Sequence, residues 1–163
     1  MDNLVSIIVG SDSDLEYAKK CSETLKKLSI EHSINVLSAH RSPKLVEEHI
    51  TKCEQQGVKV FIAMAGLAAH LAGAVASKTT KPVIGVPLDG GPLKGIDSLL
   101  STVQMPKGIP VATVAIGSTG AINAAYLSAQ ILGIESESIS KDLKEVRNKA
   151  EQSIGEINKE LGS

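Results

Sequence analysis

Residues 4–38, LVSIIVGSDSDLEYAKKCSETLKKLSIEHSINVLS, decide the fold class because an amphipathic segment separates two short apolar runs. The runs LVSIIV (4–9) and SINVLS (33–38) are typical of buried parallel strands. The apolar face of the helix predicted between them consists of Leu15, Ala18, Leu25 and Leu28. A strand, a helix and a second strand in this order predict a βαβ unit.

The same alternation continues along the chain. Three further buried strands are predicted at KVFIAM (59–64), PVIGVP (82–87) and PVATVAI (110–116). Helical patterns lie near residues 14–28, 43–56, 67–78, 95–103 and 120–132. Five repeats of strand and helix predict an open α/β domain, in which helices cover both faces of a five-stranded parallel sheet.

The C-terminal segment has a different pattern. It is charged, and a helix over residues 136–161 would align one apolar stripe, formed by Ile139, Leu143, Val146, Ala150, Ile154, Ile157 and Leu161. The stripe is narrow and close to heptad spacing, so the helix covers either its own domain or a neighbouring subunit. We favour the neighbour, and we expect a single domain over residues 1–163 with its core at about 4–133.

Composition excludes several classes of function. The net charge is -1, only 2% of residues are aromatic and there is no Trp, so nucleic acid is an unexpected partner. Cys21 and Cys53 lack metal-ligand spacing, which predicts reduced thiols and no metal site. The apolar run at 60–76 contains His70 and two glycines and is short for a membrane span. Since MDNLVSIIVG (1–10) also lacks signal-peptide features, we expect a cytoplasmic protein.

Unusual residues concentrate after the predicted strands. The five loops are GSDSDLE (10–16), SAHRSP (38–43), AGLAAHLAG (65–73), PLDGGPLKG (87–95) and GSTG (117–120). Open parallel sheets bind ligands at the carboxyl ends of their strands, near the point where strand order reverses. With the order 2-1-3-4-5, the first three loops would be immediate neighbours.

The first loop combines helix-start chemistry with two polar residues of unassigned role. Ser13 and Glu16 have capping-box spacing, which favours a structural role for Ser13. Ser11 and Asp14 remain. An aspartate in a first helical turn is commonly a partner of the helix dipole, but beside a strand end it can also accept the hydroxyl groups of a ribose. The sequence leaves both interpretations of Asp14 open.

The second loop carries an anion-binding side chain beside a titratable one. Ser42 and Pro43 predict a helix start. Arg41 offers a planar fork that suits a phosphate, and His40 is of the one residue type that titrates near neutrality. The other histidines divide by position, since His32 and His49 fit a half-buried structural role whereas His70 lies on a ligand-facing loop.

The third and fourth loops contribute small residues that let the backbone approach a ligand, or that allow close helix packing. No dinucleotide fingerprint follows the first strand, and the P-loop and nucleophile-elbow motifs are absent. The residues alone therefore indicate a phosphorylated, ribosylated small molecule and one histidine that transfers protons. They leave isomerase, lyase and carboxylase chemistry open.

Taken together, GSDSD, SAHRSP, AGLAAHLAG, KPVIGVP and GIDSLLSTVQMPKGIPVATVAIG closely resemble the PurE family. These are the N5-carboxyaminoimidazole ribonucleotide mutases of purine (IMP) biosynthesis. The resemblance covers about residues 4–133. It implies a flavodoxin-like αβα domain of three layers, assembled as a homo-octamer, and an isomerase that moves a carboxylate from N5 to C4 of the aminoimidazole ring without a metal or organic cofactor.

The resemblance also assigns roles to individual residues. His40 corresponds to the catalytic proton carrier, which would protonate the leaving nitrogen and later remove the C4 proton. The substrate-binding residues implied by the family are Ser11, Asp14, Ser38, Arg41, Gly66, Ala68 and His70. Among them, Ser38 and Arg41 correspond to groups at the phosphate, and Ser11 and Asp14 to groups at the ribonucleotide. The loop from Gly66 to His70 would present backbone N–H groups to the migrating carboxylate.

Two alternatives accompany this assignment. The first is a direct carboxylase that takes free CO2 and aminoimidazole ribonucleotide; SAHR in place of SAHK favours the mutase over that animal-type enzyme. The second is a non-catalytic, flavodoxin-like nucleotide-binding module, since this topology hosts such modules as well. A receiver would need a phosphoacceptor Asp where the sequence has Met64, Ala65 and Gly66, and a flavodoxin would need aromatic residues around its flavin.

Overall fold

The computed structural model describes residues 4–162 and contains one parallel sheet with helices on both faces. The strands are β1 (Val5–Val9), β2 (His32–Val36), β3 (Val60–Ala65), β4 (Val83–Pro87) and β5 (Ala112–Thr113). The helices are α1 (Leu15–Lys27), α2 (Pro43–Gln55), α3 (Leu71–Ala76), α4 (Ile96–Val103), α5 (Gly117–Leu132) and α6 (Glu137–Glu160). The sheet order is β2-β1-β3-β4-β5, all parallel, which confirms the predicted fold class.

Two apolar clusters hold the layers together. On one face, α1, α5 and the first turns of α6 cover the sheet, and Ala18, Leu25 and Ala121 are fully buried there. On the other face, α2 and α3 pack against Ile8 and Phe61. The predicted inner face of α1 is confirmed, because its four apolar residues all lie in or against the first cluster.

The prediction of five buried strands is wrong at both edges of the sheet. In β2, Ile34 and Val36 are 37% and 46% exposed, because an edge strand has a neighbour on one side only. The fifth strand was expected over 110–116 but pairs with β4 only at Ala112 and Thr113. The three central strands are buried along nearly their whole length.

Two helix boundaries also differ from the prediction. The third helix was expected over 67–78 but begins at Leu71, because Leu67 adopts a left-handed backbone with φ 54° and residues 66–70 remain a loop. The GSTG segment (117–120) was expected to be a loop but forms the first turn of α5. Gly117 permits that start, since its φ is +71°.

The apolar stripe of α6 divides into two parts. Ile139 is buried, and Leu143 and Val146 pack against the core of their own domain. Beyond them Ile154 and Ile157 are 61% and 52% exposed. The expectation that the stripe faces a neighbouring subunit is therefore wrong for the first half of α6, while the second half remains available for such a contact.

No helix within residues 4–162 combines the length and the apolar character that crossing a membrane requires. The predicted absence of a signal peptide depends partly on residues 1–3, which lie outside the described residues.

Candidate active site

The central strands end at the same level, which brings their loops together. Val9 at the end of β1 pairs with Val36 of β2 and with Met64 of β3. The loops that follow enclose a cleft of about 690 Å³. All the predicted site residues line this cleft: Ser11, Asp14, Ser38, His40, Arg41, Gly66, Ala68 and His70. The topology thus assembles one site from three separate loops.

The two loop histidines form a hydrogen-bonded pair at the edge of the cleft. Nε2 of His40 lies 2.7 Å from Nδ1 of His70. The rings meet edge to face, with centroids 4.9 Å apart and planes at 85°. One of these nitrogens must carry a hydrogen while the other accepts it, so the tautomers of the two rings are linked.

Arg41 is held against the first loop. Its Nη2 donates to the carbonyl oxygen of Gly10 at 2.8 Å, and its Nε donates to Oγ of Ser38 at 3.4 Å. A guanidinium has five N–H donors, so donors remain for a ligand. The fork is therefore oriented and still able to bind an anion such as a phosphate.

Hydrogen bonds within the second loop fix the backbone on either side of His40. Ser38 Oγ accepts from the backbone N–H of Arg41 at 3.1 Å. Ser42 precedes α2 as its N-cap residue, with Pro43 at the first helical position, as predicted. Its hydroxyl nevertheless makes no cap; it bonds the backbone N–H and carbonyl of Ser38, both at 3.0 Å. His40 thus projects from a turn that is closed by hydrogen bonds within the loop.

The predicted capping box is wrong. A 3₁₀ turn, Asp12–Asp14, precedes α1, and the N-cap residue is Asp14 rather than Ser13. Ser13 Oγ instead lies 3.4 Å from Oδ1 of Asp14. Burial raises the pKa of the Asp14 carboxyl, and the bond from Ser13 opposes that effect. Asp14 is thus a half-buried acid that makes no capping bond, which favours the ligand-binding interpretation.

The third loop approaches the fourth across the cleft. A β-carbon added at Gly66 would lie 3.7 Å from the Leu88 side chain, and Leu67 covers Gly91. Tyr17 of α1 and Leu88, Gly90 and Gly91 of the fourth loop also line the cleft. The small residues of the fourth loop were predicted to let the backbone approach a ligand, but Tyr17 and Leu88 were not predicted as site residues.

Tyr17 lies on the same side of α1 as Asp14, one helical turn further, and that spacing is the signal that could have identified it. Its hydroxyl donates to Oδ1 of Asp89 at 2.6 Å. This hydrogen bond, assisted by burial, raises the pKa of Tyr17 to about 12. The partnership spans 72 residues of sequence, and no local pattern indicates it.

The remaining histidines are structural, as predicted. Nδ1 of His32 donates to the Ile30 carbonyl at 2.8 Å, so its Nε2 accepts from Ser22 Oγ at 2.7 Å. His49 contacts Ser6 and Cys53, and burial lowers its pKa. Both cysteines are buried free thiols. Over the described part of the chain, no group of three or more His, Cys, Asp or Glu side chains could hold a metal ion.

Fold and cleft together define a flavodoxin-like α/β protein with a small-molecule site at the carboxyl ends of its central strands. A family model described as AIR carboxylase matches residues 4–153. The chain belongs to this family, which confirms the resemblance identified from the loop motifs.

Relatives and solved structures agree with this assignment. The N5-carboxyaminoimidazole ribonucleotide mutase of Bacillus subtilis (strain 168) is 47% identical over 161 residues, which cover 99% of each chain. The mutase of Methanocaldococcus jannaschii is 51% identical over 151 residues, covering 93% of this chain and 92% of that one. The crystal structure of Treponema denticola PurE superimposes with a TM-score of 0.91 at 30% identity, over 99% of both chains.

Proposed function

We propose that the protein is an N5-carboxyaminoimidazole ribonucleotide mutase, an isomerase of de novo purine (IMP) biosynthesis. It converts N5-carboxyaminoimidazole ribonucleotide to 4-carboxy-5-aminoimidazole ribonucleotide. The observation that carries the proposal is the convergence of His40, Arg41 and Asp14 in one cleft. Relatives at 47% and 51% identity bear the mutase name, which supports the same reaction here.

The ribonucleotide would bind across the first and second loops. Arg41 binds the phosphate through the guanidinium N–H groups that do not donate to Gly10 or Ser38. The Ser38 hydroxyl donates a further hydrogen bond to the phosphate. At the ribose, the Asp14 carboxylate accepts hydrogen bonds from the sugar hydroxyl groups, and the Ser11 hydroxyl donates one. A bound hydroxyl would supply the half-buried Asp14 carboxylate with the hydrogen bonds that solvent no longer provides. The base then extends toward His40 and the Gly66–His70 loop.

Proton transfer at His40 accounts for the chemistry. When the bond between N5 and its carboxyl carbon breaks, its electrons stay on nitrogen, which takes a proton from His40 as CO2 departs. Ring carbon C4 then attacks the CO2, and His40 removes the C4 hydrogen as the ring regains its aromaticity. His40 acts as acid and then as base, so it ends the cycle in its starting state. The net change is an isomerisation in which no electron carrier takes part.

His70 would support this cycle. Because it lies 2.7 Å from His40, it can hold the imidazole ring in one orientation and accept a hydrogen bond while His40 is protonated. The backbone from Gly66 to His70 would meet the migrating carboxylate. A closed cleft keeps the CO2 at high effective concentration until C4 captures it.

A direct carboxylase is the second candidate, and the family model's description as AIR carboxylase is the observation that favours it. One assay separates the two. Purified protein is supplied either with N5-carboxyaminoimidazole ribonucleotide or with aminoimidazole ribonucleotide and bicarbonate, and 4-carboxy product is measured. We expect efficient turnover of the first substrate. Efficient turnover of aminoimidazole ribonucleotide with bicarbonate alone would refute the mutase proposal. Turnover of neither substrate would also refute it and would favour the non-catalytic nucleotide-binding module.

Assembly and location complete the proposal. We infer a cytoplasmic homo-oligomer, with the octamer implied by the family resemblance. The exposed second half of α6 and the exposed apolar side chains of α4, Ile96, Leu100 and Val103, offer surfaces for neighbouring subunits.

A further inference from the structure

The glycine-rich segment 88–95, here called the roof loop, is closed at its base. Ser98 is fully buried on α4, and its Oγ lies 2.7 Å from the Leu88 carbonyl and 3.0 Å from the Gly95 carbonyl. Gly95 has φ +90°, a conformation that glycine adopts without strain. Both ends of the roof loop are therefore fixed to one buried hydroxyl, while Gly90 and Gly91 between them line the cleft.

One hydrogen bond joins the roof loop to helix α1, which also contributes to the lining of the cleft. Tyr17 on α1 donates to the Asp89 carboxylate at 2.6 Å. Bonds of this kind, from a hydroxyl to an ionised acceptor, are short and stronger than neutral ones. Tyr17 lines the cleft, as do Leu88, Gly90 and Gly91, so the bond links two parts of the cleft lining, α1 and the roof loop.

The position of Asp89 is defined from a third direction. A β-carbon added at Gly117 would lie 3.1 Å from Oδ1 of Asp89, so the carboxylate rests directly against the first residue of α5. The positive end of a 16-residue helix favours a negative charge at that place. Asp89 thus lies against the start of α5 and accepts the hydrogen bond from Tyr17 in the same position.

The far side of the roof loop touches the third loop. A β-carbon added at Gly91 would lie 2.4 Å from Cδ2 of Leu67, so that side chain occupies the space above the glycine. Leu67 lies in the loop that also carries His70. Movement of Gly91 would therefore open the cleft next to the histidine pair.

We propose that the Tyr17–Asp89 hydrogen bond is a positioning element that keeps the roof loop closed while CO2 is free in the cleft. This inference rests on the proposed mutase function. CO2 is neutral and a weak hydrogen-bond acceptor, so its retention depends on the walls around it rather than on a binding group. When the roof loop opens, CO2 escapes and aminoimidazole ribonucleotide is released in place of the 4-carboxy product.

The experiment measures retention of the substrate carboxyl group. Substrate labelled with ¹³C in its carboxylate is turned over in unlabelled bicarbonate, and label in the product is quantified by mass spectrometry. We expect Tyr17→Phe to release roughly fivefold more label than the wild type, since one hydrogen bond is lost and the ring stays in place. Asp89→Ala should behave alike, and the double variant should add little. Tyr126→Phe, on α5 and outside the cleft, is the matched control.

Hydrogen exchange of the backbone amides in the roof loop provides a readout that needs no catalysis. Tyr17→Phe should accelerate exchange there by about fivefold relative to Tyr126→Phe. If the wild type lacks mutase activity but this acceleration is observed, the proposed function fails and the positioning role of the pair stands. If a folded Tyr17→Phe variant retains label and exchanges like the wild type, the positioning role is refuted.

Discussion

Nε2 of His40 and Nδ1 of His70 lie 2.7 Å apart although 30 residues separate them in the sequence. Each ring stands on a loop that follows a different strand, β2 for His40 and β3 for His70. A single added proton is accommodated between the rings, because one ring then donates and the other accepts. Two added protons would set two donors against each other. The geometry therefore suits a site that handles one proton at a time.

His70 should act on His40 rather than on the substrate directly. In His70→Asn the side-chain amide occupies the place of Nδ1 and can still hydrogen-bond His40, whereas His70→Leu cannot. We expect kcat to fall by roughly tenfold or more in His70→Leu, with KM within about twofold of wild type, and to recover partly in His70→Asn. Steady-state kinetics of both variants test this. Equal losses in the two variants would show that the hydrogen bond is irrelevant.

The Asp14 carboxylate should lower the stability of the ligand-free protein and strengthen binding of the ribonucleotide. Burial raises the pKa of its carboxyl, so the charged form is disfavoured in the ligand-free protein. Asp14→Asn should raise the unfolding midpoint at pH 7 by roughly 1 °C, a small gain because solvent screens a half-buried group. The penalty for burying the charge is absent once the carboxyl is protonated. The stability gain of Asp14→Asn should therefore decrease as pH falls through the raised pKa of the folded protein, and it should be absent below the pKa of the unfolded chain.

The same variant should bind the ribonucleotide about tenfold or more weakly, since a charged hydrogen-bond acceptor is lost. Thermal unfolding and calorimetric titration measure the two effects. Glu16→Gln, on the exposed side of the same helix turn, is the control. Unchanged affinity in Asp14→Asn would remove Asp14 from the substrate site.

The second half of α6 should mediate assembly. A truncation after Gly133 would also remove Ile139, Leu143 and Val146, which cover the core of their own domain. Substitution is more selective: Ile154→Lys with Ile157→Lys should reduce the sedimenting mass while leaving the circular dichroism unchanged. Gln152→Lys with Ser153→Lys adds the same charge beside the stripe and should sediment like wild type. A double isoleucine variant that still sediments like wild type would contradict the intersubunit role.

Tyr17 should ionise at unusually high pH. The hydrogen bond to Asp89 raises its pKa to about 12, with smaller contributions from burial and from the charges of Asp89, Glu16 and Asp14. The contribution of this bond to stability is therefore complete below the ordinary tyrosine pKa and is lost as pH rises through about 12. Absorbance at the phenolate band, compared between wild type and Asp89→Ala, measures the shift. Identical titration curves would mean that the bond does not form in solution.

Much of this architecture follows from local patterns. Short apolar runs mark buried strands, and apolar residues spaced by three and four mark the inner face of a helix. The strands β1, β3 and β4 and the inner face of α1 were therefore predictable. The positions of His40, Arg41 and Asp14 after strand ends were predictable for the same reason, because topology brings such loops to one edge of the sheet.

Features that depend on tertiary contacts were not predictable. The length of β5 depends on pairing with β4, and the start of α3 depends on a left-handed Leu67. Asp14 rather than Ser13 precedes α1, because the 3₁₀ turn shifts the helix start by one residue. The pairing of Tyr17 with Asp89 joins helix α1 to the roof loop through their side chains, and no local pattern in either segment indicates it.

The measurement that tests the central claim most directly compares catalysis and binding in His40→Asn. Asparagine removes the titratable ring but keeps a polar side chain in the same turn. We expect product formation from N5-carboxyaminoimidazole ribonucleotide to fall by at least about 10²-fold, as for loss of a general acid and base. Calorimetry should show product ribonucleotide binding within a few-fold of wild type, because Arg41 and Asp14 are retained. Activity near that of the wild type in a folded His40→Asn variant would contradict proton transfer by His40.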